Sequence, residues 1–288
     1  MKNILLLSVC ALLFGCASIE LSENDFLRPD QKPPVPQTLG DGCAMEHVSV
    51  AHADGAVSRG IHVRCPQSIA TVLYFGGNEF RIDREGGPVV QALAKAGSDV
   101  VIFDYRGYGR SDGAPTADLL RRDAVDVYRF VRARAANHVV VYGLSLGSFV
   151  AASVAQTQPV DGLVLEGAPT NAGDLVRAQI PWYASPFVHT KLTAGLLAID
   201  NVQALRGYDG PLLLLAGGKD EQVPVWLQRS LYEQAATPRK EIHVFPAYGH
   251  KGLIESTEFP PMLRQFLSGP VDSFAKGKVP KPLPKPAG

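Results

Sequence analysis

The stretch VVVYGLSLGSFVAA, residues 139–152, constrains the fold of this chain more than any other. Three valines in succession read as a short strand buried on both faces, and SFVAASVAQ reads as a helix whose Ala and Val residues face a core. A strand that passes straight into a helix leaves a tight turn between them. Ser145 occupies that turn, with Gly143 and Gly147 two positions to either side. Side chains at those two positions would collide with the neighbouring elements, so glycine is needed there. The residue at the apex is expected in a strained backbone conformation.

The rest of the chain supplies the sheet into which such a unit fits. AMEHVSV and AVSRGIHVRC flank AHADG and read as a hairpin. ATVLYF, DVVIFDY, HVVVYG, GLVLEG, PLLLLAG and EIHVFP read as strands. Helical patterns alternate with them in PVVQALAKAG, LLRRDAVDVYRFVRARA, the turn helix, VWLQRSLYEQA and FPPMLRQFL. A hairpin followed by repeated β–α units implies an α/β fold: a mostly parallel sheet of about eight strands, an antiparallel N-terminal hairpin and helices on both faces. Sites in such sheets lie beyond the carboxyl ends of the strands, which is where Ser145 falls.

Charge excludes one class of partner. With 28 Lys+Arg against 28 Asp+Glu the formal net charge is zero, and no basic stripe marks a nucleic-acid footprint. No Cys/His cluster has the spacing of a metal site, and no cofactor is expected.

Both ends of the chain read differently from the middle. Lys2 precedes the apolar run ILLLSVCALLFG, which is too short to span a bilayer and ends at Cys16. The segment LFGC resembles a bacterial lipobox, so residues 1–15 are expected to be a lipoprotein signal peptide and Cys16 the lipid-bearing mature N-terminus. An ordinary signal peptide cut nearby is the alternative. Lipidation would place the protein in the bacterial cell envelope. Because Ala17, not an acidic residue, follows Cys16, the outer membrane facing the periplasm is expected in a Gram-negative host. Residues 16–40 carry a proline cluster without apolar periodicity and read as a flexible tether. A folded domain is expected over 41–268 and a Pro/Lys-rich disordered tail over 269–288. The protein is expected to be monomeric.

An isolated cysteine pair, Cys43 and Cys65, remains after export. If residues 53–55 form a three-residue hairpin loop, facing positions sum to 108, as 43 and 65 do. A disulfide across the two strands is then expected, with two buried reduced thiols as the alternative.

G-x-S-x-G at 143–147 is the pattern of a nucleophile elbow, and a serine nucleophile needs a base and an acid to orient that base. The expected chain order is Ser, acid, His. His47, His52, His62 and His138 precede Ser145, His243 alternates within a strand, and His189 comes before any suitable acid. His250, in PAYGHKGL just past the final strand, is left. Asp220 ends the strand PLLLLAG in a D-x-x-V-P context with Val223 and Pro224, and Glu221 beside it is the rival acid.

LYFGGNEF, DYRGYGRSDG, YGLSLGS, GPLLLLAGGKDEQVP and YGH, taken in that order, resemble the α/β-hydrolase superfamily, and within it the BEM46-like and serine-aminopeptidase-like serine hydrolases. The resemblance covers about residues 43–268. It implies catalysis by Ser145, Asp220 and His250 through an acyl-enzyme, and an oxyanion hole formed by the backbone N–H groups of Leu146 and Asn78. Family members commonly read His-Gly-Asn where this chain has Gly76-Gly77-Asn78. Arg106 and Asp112 are read as fixing the loop they occupy. A short cap is implied at about 170–200, where Ile180, Trp182, Tyr183, Phe187 and Leu196 would favour a lipophilic acyl substrate, although they could equally pack the cap onto the body. The expectation is therefore an esterase or thioesterase. An aminopeptidase or amidase, an acyltransferase, and a non-catalytic binding lipoprotein are the alternatives.

Overall fold

Alternating short apolar runs and amphipathic segments build a three-layer α/β architecture in a computed structural model that describes residues 17–29 and 42–269. In chain order the elements are β1 (Ala17–Leu21), α1 (Glu23–Phe26), β2 (Ala44–Ala51), β3 (Val57–Arg64), β4 (Ala70–Phe75), α2 (Ile82–Lys95), β5 (Ser98–Phe103), α3 (Ala117–Arg132), β6 (His138–Leu144) and α4 (Leu146–Thr157). They continue with β7 (Gly162–Glu166), α5 (Ala172–Ala178), β8 (Val188–Leu192), α6 (Ala194–Leu197), α7 (Asn201–Leu205), β9 (Leu212–Gly217), α8 (Val225–Gln234), β10 (Lys240–Phe245) and α9 (Phe259–Ser268). The main sheet has eight strands in the order β10-β9-β7-β6-β4-β5-β3-β2. All neighbours pair in parallel except β3 with β5 and β2 with β3, the N-terminal hairpin.

The inner strands β4 and β9 are buried at every position, as near-continuous apolar runs require when helices cover both faces. On one face Leu120 and Val127 of α3, Val150 of α4 and Leu231 of α8 pack against Val139 and Val141. On the other, Val89 and Leu93 of α2 and Leu263 and Phe266 of α9 pack against Val140 and Val164. Helix α2 starts earlier than its apolar pattern suggests, because its opening turn is held by Asp104, whose Oδ1 accepts from Ile82 N at 3.0 Å. Pro88 is accommodated inside it.

The hairpin register is the expected one. Ala44 faces Arg64 and Ala51 faces Val57, every pair summing to 108. His52 N donates to the Ala56 carbonyl at 2.9 Å, which leaves residues 53–55 as the loop, and Gly55 takes the left-handed φ of +85° that such loops need. One step beyond Ala44 and Arg64, Cys43 and Cys65 are joined by a disulfide with their Cα atoms 4.4 Å apart.

Part of the stretch read as a flexible tether is folded. β1 pairs in parallel with β8, which lies in the segment expected to form a cap, Ala17 with Val188 through Leu21 with Leu192, and Leu27 is buried. Five residues with little periodicity cannot announce a strand whose partner lies so far along the chain; tertiary pairing supplies what local pattern lacks. The Glu23 carboxylate accepts from Ala117 N at 2.7 Å, capping α3, and lies where any side chain on Gly195 would collide with it. The expected signal peptide, Cys16 and the C-terminal tail beyond Gly269 lie outside the described residues, as do residues 30–41. Among the described residues no helix is long and apolar enough to cross a membrane.

Candidate active site

Sheet order fixes where a site can form. After β5 has been laid on one side of β4, the chain returns to place β6 on the other side, so a crevice opens beyond the carboxyl ends of β4 and β6. Phe75 and Gly143, at those two ends, are register partners. Phe75 leads into Gly76-Gly77-Asn78, and Gly143 leads into Leu144-Ser145.

Ser145 has φ +54° and ψ −112°, a conformation that L-residues adopt only when the surroundings impose it. Its N–H donates to the Glu166 carbonyl of β7 at 2.8 Å. The flanking glycines are needed for the reason the turn suggests: a Cβ on Gly143 would lie 2.1 Å from the Gly147 carbonyl oxygen, and one on Gly147 would lie 2.1 Å from that of Phe75. Helix α4 starts at Leu146. The first N–H groups of a helix lack intrahelical acceptors, so Leu146 N–H is a donor at the head of the crevice.

The loops after β9 and β10 are laced together. Gly218 N donates to Phe245 O and Lys219 N to Tyr248 O, both at 2.8 Å. A Cβ on Gly217 would fall 2.0 Å from the Gly249 carbonyl oxygen. This lacing brings Asp220 and His250 together. Asp220 Oδ1 accepts from the backbone of Gln222 and Val223, which accounts for the D-x-x-V-P context, and Oδ2 pairs with His250 Nδ1 at 2.8 Å. Glu221, the rival acid, is exposed. With the Nδ1 proton directed at a carboxylate, the neutral imidazole keeps its lone pair on Nε2. The His250 ring lies on Gly167, where a Cβ would be 3.0 Å from Cε1, and Gly167 is the neighbour of Glu166, which binds Ser145 N–H.

Gly77 passes beside the serine, its ideal Cβ position 3.6 Å from Ser145 Cβ. Gly76, standing where family members commonly carry histidine, has a local cause: a Cβ there would meet the Phe80 ring at 2.1 Å. Phe80 takes the space of the missing imidazole. Asn78 is oriented from the N-terminal segment, since its Oδ1 accepts from Arg28 N and Tyr108 Oη, each at 3.0 Å, and its Nδ2 donates to Phe26 O. Arg106 and Asp112 hold their loop through separate partners: Arg106 binds Asp123 and Asp54, tying the loop to α3 and to the hairpin turn, while Asp112 pairs with Arg59 at 2.6 Å.

Comparison with known proteins bears on the fold and the family. The family described as serine aminopeptidase, S33, matches residues 68–194. The esterase Pf2001 of Pyrococcus furiosus superposes with a TM-score of 0.63 at 20% identity, over 82% of this chain and 98% of that one. This chain is a member of the α/β-hydrolase superfamily. Acetyl xylan esterase from Paenibacillus sp. R4 shares the hydrolase fold with a TM-score of 0.63 at 16% identity, over 81% of this chain and 86% of that one. Lysophosphatidylserine lipase ABHD12 of Macaca fascicularis is 29% identical over 270 residues, 85% of this chain and 66% of the relative. The Mus musculus protein of the same name is 31% identical over 224 residues, 69% of this chain and 56% of the relative. The chain thus spans less than two thirds of the length of these curated relatives.

Two features of this α/β hydrolase escape sequence reasoning. One is a cavity of about 290 Å³ beside the head of α4, lined by the apolar Leu120, Leu146 and Phe149 and by the polar Arg121, Gln156 and Asp200, among others. The other is Glu166. It ends β7 with its carboxyl group buried, Tyr142 Oη donates to its Oε2, and desolvation pushes its pKa up to about 7; the Tyr142 hydrogen bond and the His250 charge pull it down, and Asp220 pushes it up. The only sequence signal is a lone acid closing an apolar strand. Among the described residues, no group of three or more His, Cys, Asp and Glu side chains could hold a metal ion.

Burial of Glu166 makes stability depend on pH. Between its ordinary value of 4.5 and about 7 the folded protein keeps a proton that the unfolded chain releases, so this contribution is complete at acid pH and is lost as pH rises through that window. Asp104, raised to about 6 by burial, acts with the same sign. Glu166→Gln is therefore expected to reduce, without eliminating, the fall in stability between about pH 5 and pH 8, with the variant gaining on wild type at the higher pH. Urea unfolding at the two pH values checks this; an unchanged pH dependence would argue against a buried, protonated Glu166.

Proposed function

We propose that this α/β hydrolase is a serine hydrolase that cleaves carboxylic esters or thioesters of lipophilic acyl groups, with Ser145, His250 and Asp220 as its triad. The observation that carries the reading is the Asp220–His250 hydrogen bond, seated on Gly167 beside the strained Ser145. In the proposed reaction His250 Nε2 takes the Ser145 Oγ proton as the oxygen attacks the acyl carbonyl. The N–H groups of Leu146 and Asn78 hold the negative oxygen of the tetrahedral intermediate. Collapse expels the alcohol or thiol, which takes the proton back from His250. Water, deprotonated by the same nitrogen, then attacks the acyl-serine and releases the acid; another alcohol in place of water gives acyl transfer.

The substrate class is supported by relatives and fold neighbours named as a lipase and as esterases; the cavity one residue from Ser145 is mixed, lined by Leu120, Phe149 and Ile199 together with Arg121, Gln156 and Asp200. The family name serine aminopeptidase keeps an amide substrate as the competing reading. p-Nitrophenyl esters of graded chain length, assayed beside aminoacyl p-nitroanilides, separate the two. Ester turnover that rises from acetyl to medium chains is expected; faster turnover of the anilides would favour the peptidase.

We also propose that Cys16 is lipidated and anchors the protein in the cell envelope, at the outer membrane in a Gram-negative host. The short apolar run ending in LFGC supports this. Intact mass of the purified mature protein is expected to include the lipid on Cys16, and an unmodified mature N-terminus would contradict it.

A further inference from the structure

Among the described residues, four of the six large apolar side chains that stand exposed lie in one segment, Met45 and Trp226 being the others. Trp182 is 85% exposed, Tyr183 55%, Phe187 45% and Leu197 61%, and all four belong to the cap. The Trp182 and Tyr183 rings meet edge to face with centroids 6.0 Å apart, presenting a joined aromatic surface. The two long cations of this segment are paired, Arg177 with Asp174 at 2.7 Å and Lys191 with Glu20 at 3.9 Å, so the aromatic face and not net charge marks it.

The register of β1 adds a direction. Ala17 lies beside Val188, so the chain enters the described fold at the end of β8 that adjoins Phe187. The residue before Ala17 is Cys16. If Cys16 bears lipid, its acyl chains leave the protein at the edge where the cap aromatics stand; this step rests on the anchoring reading above. Burying Trp and Tyr rings at a membrane interface satisfies their apolar bodies and polar edges together.

We propose that the Trp182, Tyr183 and Phe187 face of the cap docks on the lipid bilayer. The anchor and the cap then form one membrane-facing edge, which holds the hydrolase in a fixed orientation. A single acyl chain binds a bilayer weakly, and a second contact of this kind converts attachment into a defined pose.

The chain holds two tryptophans, Trp182 and Trp226, so Trp226→Phe leaves Trp182 as the sole reporter. Full-length protein carrying this substitution, purified from the membranes of producing cells, is weighed intact and then reconstituted into phosphatidylethanolamine–phosphatidylglycerol vesicles with bromine on the acyl chains. The expected result is a blue shift and a roughly twofold loss of Trp182 emission, as suits a ring seated about 5 to 10 Å into the headgroup boundary. Lipidated, vesicle-bound protein whose Trp182 stays unquenched would overturn the docking and leave the anchor standing. Unlipidated protein whose Trp182 is quenched on mixing with vesicles supports the docking and removes the anchor. Unlipidated protein that is not quenched overturns both.

Discussion

Ser145→Ala is expected to lower kcat on a p-nitrophenyl ester by about a million-fold, the scale seen when the nucleophile of a serine hydrolase is removed. The elbow should survive the change. Ser145 is anchored through its backbone, with its N–H on Glu166 O and its carbonyl accepting from Ser148 N and Ser148 Oγ. Alanine keeps all three bonds and removes only the hydroxyl. Circular dichroism and thermal unfolding close to wild type should accompany the loss of turnover, and a variant retaining more than a few per cent of activity would place the nucleophile elsewhere.

The second large effect is expected at Asp220. Asp220→Asn preserves the side-chain outline, and its remaining oxygen can still accept from Gln222 N and Val223 N. The new amide then faces His250 Nδ1, where the carboxylate accepted a proton at 2.8 Å. An amide donor there forces the imidazole proton onto Nε2, so the ring presents a donor where the serine needs a base. A fall in kcat of about ten-thousand-fold is expected, with KM little changed, because the wrong tautomer removes the base and leaves binding intact. Histidine NMR should report the tautomer directly. If the variant kept wild-type kcat, Asp220 would not be the orienting acid, and the same kind of substitution at exposed Glu221, Glu221→Gln, serves as the control.

The glycines of the elbow and the hairpin register are legible in the sequence because each depends on contacts close along the chain. Gly143 and Gly147 are dictated by how tightly β6 turns into α4, and facing pairs in a hairpin are set by the loop length alone. Chain order and strand ends pick out Asp220 and His250, and the lacing of Gly217, Gly218 and Lys219 to the last loop is what joins them. Long-range contacts carry no such signature. β1 is a strand only because β8 pairs with it, and Glu23 caps a helix that begins at Ala117. Phe80, four residues after Gly76, explains the absent histidine, yet its ring position depends on packing against Tyr74. Glu166 escapes for a related reason: a lone acid gains meaning only when the fold buries it against Tyr142.

The same long-range contacts give the N-terminal segment a place in the site. Phe26 and Arg28 hold Asn78 by its side chain, Leu27 lines the cavity, and the cap is tied to this segment through β1. Asn78 presents its proposed oxyanion donor from a loop held on both sides, by Tyr108 and by residues that begin just after the expected anchor.

Ser145 Oγ is the proposed seat of the covalent intermediate, and a fluorophosphonate reads that bond directly. Wild-type protein is expected to gain one phosphonyl adduct, located on Ser145 by tandem mass spectrometry, with labelling abolished in Ser145→Ala and strongly slowed in His250→Ala. An adduct on another residue, or labelling of Ser145→Ala at the wild-type rate, would place the nucleophile elsewhere.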